Sequence, residues 1–260
     1  HIKAREVCPV PGELPWDTLQ NAAAAGWRLE GIHMCGSEST RAFFRMIDMA
    51  REVNGWTMQQ VRDMRMTGEH CNLIGKDPEM IRQLKEYGLI LSCGPDLVSE
   101  SPAWIRDYGD EIQPFILPFK TWIESGVKLV GQHYGSTPPF NKLWQAVTRK
   151  FDGVVWQPEE RIDRVHALKM WTSWASEYVL KEDKLGTLEE GKFADLIILD
   201  RDYFTVPVDD LLKIRVPMTM VGGKIMQLQA SLASEFGVDS IGPVYDFSDE
   251  EVAAQFLGGN

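Results

Sequence analysis

Gly126-Val-Lys-Leu-Val-Gly-Gln-His-Tyr-Gly-Ser-Thr-Pro-Pro139 decides the fold. Val127 to Val130 is a short, mostly apolar run between glycines, which predicts a buried strand of a parallel sheet rather than a helix. It stops in Gly131-Gln-His-Tyr-Gly135, and the Pro138-Pro139 pair beyond cannot carry a ladder onward. α/β folds place their chemistry where strands end in polar loops, at the carboxyl ends. His133 and Tyr134 are therefore the first candidates.

Upstream, the same design recurs. Glu13 to Ala25 predicts a helix stopped by Gly26, and Trp27 to Ile32 a strand ending in His33. Ser37 or Ser39 can cap the next helix, whose Phe43, Met46, Ile47 and Ala50 share a face. Val61 to Gly68 reads as a strand leading into Glu69-His70-Cys71. Asp77-Pro78 caps a helix ended by Gly88, and Leu89 to Ser92 is the next strand. An aromatic-rich excursion over 97–125, read as irregular, is either a lid over an apolar substrate or packed core. Phe140 to about Lys150 is a helix. Strand-then-helix units in series predict a parallel sheet with covering helices.

Composition bounds the function. A chain of 260 residues, 44% hydrophobic and 25% charged, can bury one large α/β core. Its net charge of −11 argues against nucleic acid and anionic membrane as partners. No apolar run is long enough to span a bilayer. Cys8, Cys35, Cys71 and Cys93 lack the spacing of a disulfide scaffold, so a reducing compartment, the cytoplasm, is expected. The chain opens on His1 rather than Met, so further N-terminal sequence is expected.

After Pro158 a single long helix is predicted to about Leu180, buried through Ile162, Val165, Leu168, Thr172, Ala175 and Val179. The pattern then changes to an apolar strand, Leu196 to Leu199, and a hairpin turned by Gly222-Gly223. Residues 227–260 read as a polar tail with a helix over Ser248 to Phe256.

Gly186 to Asp200 followed by Met220-Val-Gly-Gly-Lys224 resembles the C-terminal signature of the metal-dependent amidohydrolase superfamily. The strand ending in His33, the Glu69-His70 pair, the Gly-x-Ile-x-Ser strand and the Gly-Val-Lys-Leu strand follow the order of its N-substituted formamide deformylase branch. The resemblance covers roughly residues 20–226 and implies the C-terminal half of a (β/α)₈ TIM barrel plus part of a small β-sandwich. It divides the chain into a half-barrel over 1–180, sandwich strands over 181–226 and a C-terminal extension over 227–260. The first four barrel strands find no place before residue 13, so the resemblance implies an N-terminal half on another chain or fragment, in a homo- or hetero-oligomer.

Carried onto this chain, the pattern makes His33 and His70 metal ligands. Where it has Gly-Ser-Asp, with the Asp binding metal and accepting a proton from water, this chain has Gly131, Gln132 and His133. His133 thus ligates, serves as general base, or marks a lost site. Tyr134 and Ser136 are candidates to orient substrate. The implied cofactor is one or two divalent ions, zinc first, with iron or manganese as alternatives. Glu69, next to His70, should point to the opposite face and pair with a helix residue such as an Arg. Cys35, Cys71 and Cys93, near strand ends, read as buried small hydrophobes before soft-metal or redox groups. His166 reads as a packed helical residue. The expected activity is metal-dependent hydrolysis of C–N bonds in amide-, formamide- or urea-like small molecules. The rivals are a lyase, decarboxylase or oxygenase on the same fold, and a catalytically degenerate subunit.

Overall fold

The computed structural model describes residue 12, residues 14–132 and residues 139–243. His133, Tyr134 and Ser136 lie outside the described residues, as does the tail helix expected over 248–256. The chain divides into two compact units: the described residues up to Gln132 with Arg149–Ile162, and those of 139–148 with 163–243.

In the first unit, α1 (Leu14–Ala24) leads to β1 (Ile32–Gly36), α2 (Ser37–Asn54), α3 (Met58–Met64) and β2 (Thr67–Leu73). Then follow α4 (Pro78–Tyr87), β3 (Ile90–Cys93), α5 (Ser101–Tyr108), α6 (Phe119–Glu124) and β4 (Lys128–Gly131). A short antiparallel pair, β5 (Lys150–Phe151) and β6 (Val154–Val155), belongs to the same unit. The sheet has the order β1-β2-β3-β4, every pair parallel, so each strand lies beside its successor and the crossovers run through helices. All four residues of β3 are buried, as expected of a strand flanked by neighbours.

Local chemistry explains the elements. Gly36 N–H donates to Ser39 Oγ at 3.1 Å, and Ser39 Oγ donates back to the Gly36 carbonyl at 2.8 Å, which starts α2. The helix then buries Ala42, Phe43, Met46, Ile47 and Ala50. α4 starts as its sequence dictates, with Asp77 accepting from Met80 N–H at 3.0 Å and Pro78 in its first turn.

Three expectations are corrected here. The strand expected over 27–32 begins only at Ile32, because Gly31 turns the chain at φ 70° and Trp27 is 69% exposed. Val61 lies in α3, not in a strand. Thr57 and Gln60 form a capping box that nucleates that helix, and β2 begins at Thr67. The 97–125 excursion is largely helical: α5, α6 and two 3₁₀ segments occupy it, with Phe119 and Trp122 buried as core.

The second unit holds α7 (Pro139–Thr148), α8 (Arg164–Trp171) and α9 (Ser173–Tyr178). The antiparallel sheet β7 (Leu196–Ile198), β8 (Met218–Val221) and β9 (Lys224–Leu228) follows, then α10 (Ala230–Phe236). The single helix expected up to Leu180 is therefore two. Thr172 breaks it at φ −126°, ψ −100°, while its hydroxyl donates to the Leu168 carbonyl at 2.9 Å. Val165 and Val179 of the expected stripe are exposed, and Ala167, Met170 and Ser176 are buried instead. The hairpin forms as read, with Gly222 and Gly223 at φ 57° and 78°. Met218, Leu228 and Ala233 form its core, with Leu196, Ile198 and Ile225 packed against them.

Cys71 and Cys93 are buried free thiols, whereas Cys35 is disulfide-bonded. That departs from the all-thiol chain suggested by cysteine spacing, because spacing along a sequence does not fix proximity in the fold. Among the described residues no helix is long and apolar enough to cross a membrane.

Candidate metal centre

His33 and His70 come together. β1 and β2 are neighbours whose register sets His33 opposite Glu69 and Met34 opposite His70. The two imidazoles meet with centroids 4.3 Å apart at an interplanar angle of 75°. One donor atom from each of His33, Glu69 and His70 lies within 4.8 Å of the others. The site is open on one side, since the His33 and Glu69 side chains are 31% and 27% exposed while His70 is buried.

Glu69 is the residue that sequence reasoning put in the wrong place. Strict alternation would send it to the face opposite His70, towards a helix arginine. Instead His70 and Cys71 take left-handed backbone angles, φ 67° and 57°, and the β1–β2 register shifts between Met34 and Gly36. The kink breaks the two-residue period and turns His70 towards the face that Glu69 shares with its register partner His33, where Glu69 Oε2 stands 3.6 Å from His33 Nε2. No local sequence signal announces two successive left-handed residues, although histidine is among the types that tolerate one.

Burial lowers the His70 pKa, the neighbouring His33 ring lowers it further, and a hydrogen bond with the Gln132 side chain partly offsets both. The neutral ring keeps a lone pair for coordination. Gln132 directly follows β4 and extends the ladder by donating to the Cys93 carbonyl at 3.0 Å, so the ends of β1, β2 and β4 all address this site. His33 Nδ1 is buried and has no hydrogen-bond partner, and 3.6 Å is too long for its Nε2 to be bonded to Glu69. Leaving such a ring unsatisfied costs on the order of 1–3 kcal/mol. Two imidazoles and a carboxylate around one point suit a divalent ion.

The thiols do not join this set. Burial and a hydrogen bond with Cys71 push the Cys93 thiol well above its ordinary pKa, which keeps it protonated and a poor ligand. His166 is less packed than expected: half-buried in the second unit, its Nδ1 lies 2.7 Å from the capping carboxylate of Asp163.

A parallel α/β sheet with paired imidazoles and a carboxylate at its strand ends defines a metal-binding enzyme architecture. The chain belongs to the amidohydrolase family, whose model matches residues 16–227. It is 30% identical over 112 residues to an N-substituted formamide deformylase of Arthrobacter pascens, covering 42% of this chain and 21% of that protein. An uncharacterized metal-dependent hydrolase from Pyrococcus furiosus superposes with a TM-score of 0.57 at 25% identity, over 73% of this chain and 37% of the other. Zinc-bound atrazine chlorohydrolase from Arthrobacter aurescens shares the fold at TM-score 0.56 and 20% identity, over 96% and 53% of the two chains. The chain thus spans about a fifth of its curated relative and about a third to a half of these solved structures.

Proposed function

We propose that this chain carries part of the active centre of a metal-dependent hydrolase acting on C–N bonds in small amides, formamides or urea-like compounds. One observation carries the reading: His33 and His70 converge on adjacent parallel strands at a centroid separation of 4.3 Å. A divalent ion held there, zinc by first expectation, would polarise the substrate carbonyl and acidify water.

The chain's own residues do the rest. His33 and His70 offer ring nitrogens, and Gln132 holds the His70 ring in orientation through its hydrogen bond. His133 follows Gln132 directly in sequence and is assigned as acceptor of the proton released by water, in the place of the family's Asp. Tyr134 and Ser136 are assigned to substrate orientation. In the net reaction water adds across the C–N bond, so a formamide leaves as formate and amine.

The same reading completes the four-stranded sheet with an N-terminal barrel half from other polypeptide sequence. β1 and β4 each have one neighbour among the described residues, and edges of this kind invite pairing. The β7–β9 sheet also exposes Ile197, Val221 and Met226, which suits the remainder of a small sandwich. The test combines elemental analysis of the intact protein with amine and formate detection on a panel of N-substituted formamides and simple amides. Bound zinc, with release of both products lost on chelation, supports the reading. A metal-free protein, or a metal-bound one yielding non-hydrolytic products from these compounds, overturns it.

A further inference from the structure

We infer that Glu69 is itself a ligand of the metal centre, so that this chain contributes to it a two-histidine, one-carboxylate set of His33, His70 and Glu69. The inference rests on the metal-centre reading above and adds a residue to it.

Three independent features of the structure lead there. The first is a distance. His33 Nε2 and Glu69 Oε2 stand 3.6 Å apart, beyond hydrogen-bond range. Two ligands of one tetrahedral ion with bonds of about 2.1 Å lie about 3.4 Å from each other. The separation is close to that of two groups sharing an ion, and a small closure of the cluster would bring all three donors onto one point.

The second is strain. Each non-glycine residue held in the left-handed region costs about 1–2 kcal/mol, and His70 and Cys71 are two in succession inside a strand. Such strain persists where the surroundings over-determine it, and it gathers at functional sites. Its effect here is to bring a carboxylate and an imidazole, adjacent in sequence, to one point.

The third is room. Gly31 lies at φ 70°, and a methyl group added there would sit 3.2 Å from Glu69 Oε1. The missing side chain leaves space for one carboxylate oxygen while the other faces His33.

The chemistry is consistent. Two neutral imidazoles and one carboxylate leave a divalent centre with one net positive charge and at least one position open for water, as in catalytic zinc sites.

The test is cobalt(II) titration of the intact metal-depleted protein, followed by visible absorption and equilibrium dialysis. Glu69→Gln keeps the shape but offers a weak neutral donor. It should raise the cobalt Kd about tenfold or more and shift the absorption bands. Cys71→Gly, which relaxes the left-handed position, should keep the parent Kd within about twofold, whereas Cys71→Val should weaken binding as Glu69→Gln does. If the parent binds cobalt, His33→Ala and His70→Ala abolish binding, and Glu69→Gln matches the parent in Kd and spectrum, Glu69 is no ligand and the inference fails. If the parent itself binds no cobalt, the underlying metal reading fails first. Should Glu69→Gln lose its circular dichroism signature, the Cys71 pair decides: equal Kd values for its Gly and Val variants would overturn the role given to the kink.

Discussion

The His33 and His70 rings meet edge to face, 4.3 Å between centroids, across two neighbouring parallel strands. Nothing in core packing demands that arrangement, since His33 keeps a buried Nδ1 without a partner and 31% of its side chain open to solvent. We expect His33→Ala and His70→Ala each to reduce bound metal to background. The melting temperature of the metal-free protein should fall by no more than a few degrees, about 1 kcal/mol at this size. Elemental analysis beside calorimetry of the apo forms checks this. Unchanged metal in either variant contradicts the assignment of that residue.

Glu160 supplies a pH-dependent stability that is separate from the site. Its carboxylate, 3% exposed, takes Lys76 Nζ at 2.7 Å, Thr121 N–H at 3.0 Å and Thr121 Oγ1 at 2.8 Å. Burial alone would raise its pKa, but the bonds to Lys76 and Thr121 outweigh it and hold the group below the ordinary carboxylate range. A lowered carboxylate pKa stabilises the fold fully above the unfolded value of about 4.3, and that stability is lost as pH falls through the folded value. Lys76 is 31% exposed, so screening trims the pair, and Glu160→Gln should cost about 2 kcal/mol at pH 7. Urea unfolding at pH 7 and at about pH 3 measures it, and an equal cost at both pH values would refute the account.

How much of this could be read in advance depends on how local each signal was. The β4 strand, the Asp77-Pro78 helix start and the Gly222-Gly223 turn are each set by residues that act within a few positions, and all three formed as read. Val61 misled because its apolar neighbours suit either element, while the decisive Thr57–Gln60 box lay upstream. The break at Thr172 turns on one hydroxyl bonding backwards, which periodicity does not register. For the candidate site, strand-end placement picked out His33 and His70, which the fold brings together, but not the approach of Glu69 to them. Left-handed backbone at His70 and Cys71, a tertiary outcome that overrides the two-residue period, sets these neighbours at one point.

The hairpin of the second unit offers a local test. Gly223 N–H donates to the Ala194 carbonyl at 3.1 Å, and Gly222 N–H to Asp195 Oδ1 at 2.6 Å, tying the turn to the start of β7. At φ 78°, Gly223→Ala should cost about 1–2 kcal/mol, and Asp195→Ala about 1 kcal/mol. Denaturant midpoints measure both. A Gly223→Ala variant as stable as the parent would show that the turn adopts another form.

Arg149 is the strongest structural prediction in the first unit. It is 1% exposed and spends its guanidinium on oxygens of the main chain and one amide: Leu117 O at 2.9 Å, Trp156 O at 3.1 Å and Gln157 Oε1 at 2.7 Å. Burial pushes its pKa down to about 10, with Glu160 and Glu159 acting the other way, so the group stays charged at neutral pH. The cation also lies 5.8 Å from the Phe119 ring centroid, against the core of α6. Lysine carries one point charge and cannot reach these oxygens as a planar fork does. Arg149→Lys should therefore cost about 2 kcal/mol, and Arg149→Met about 3 kcal/mol or more, because the orphaned carbonyls remain buried. Both variants should still bind metal, since Arg149 contacts none of His33, Glu69 or His70 through these bonds. Urea unfolding gives the stability and cobalt titration the site. A Met variant as stable as the parent would show that the buried fork is dispensable, and lost metal in a folded variant would show that its reach extends to the centre.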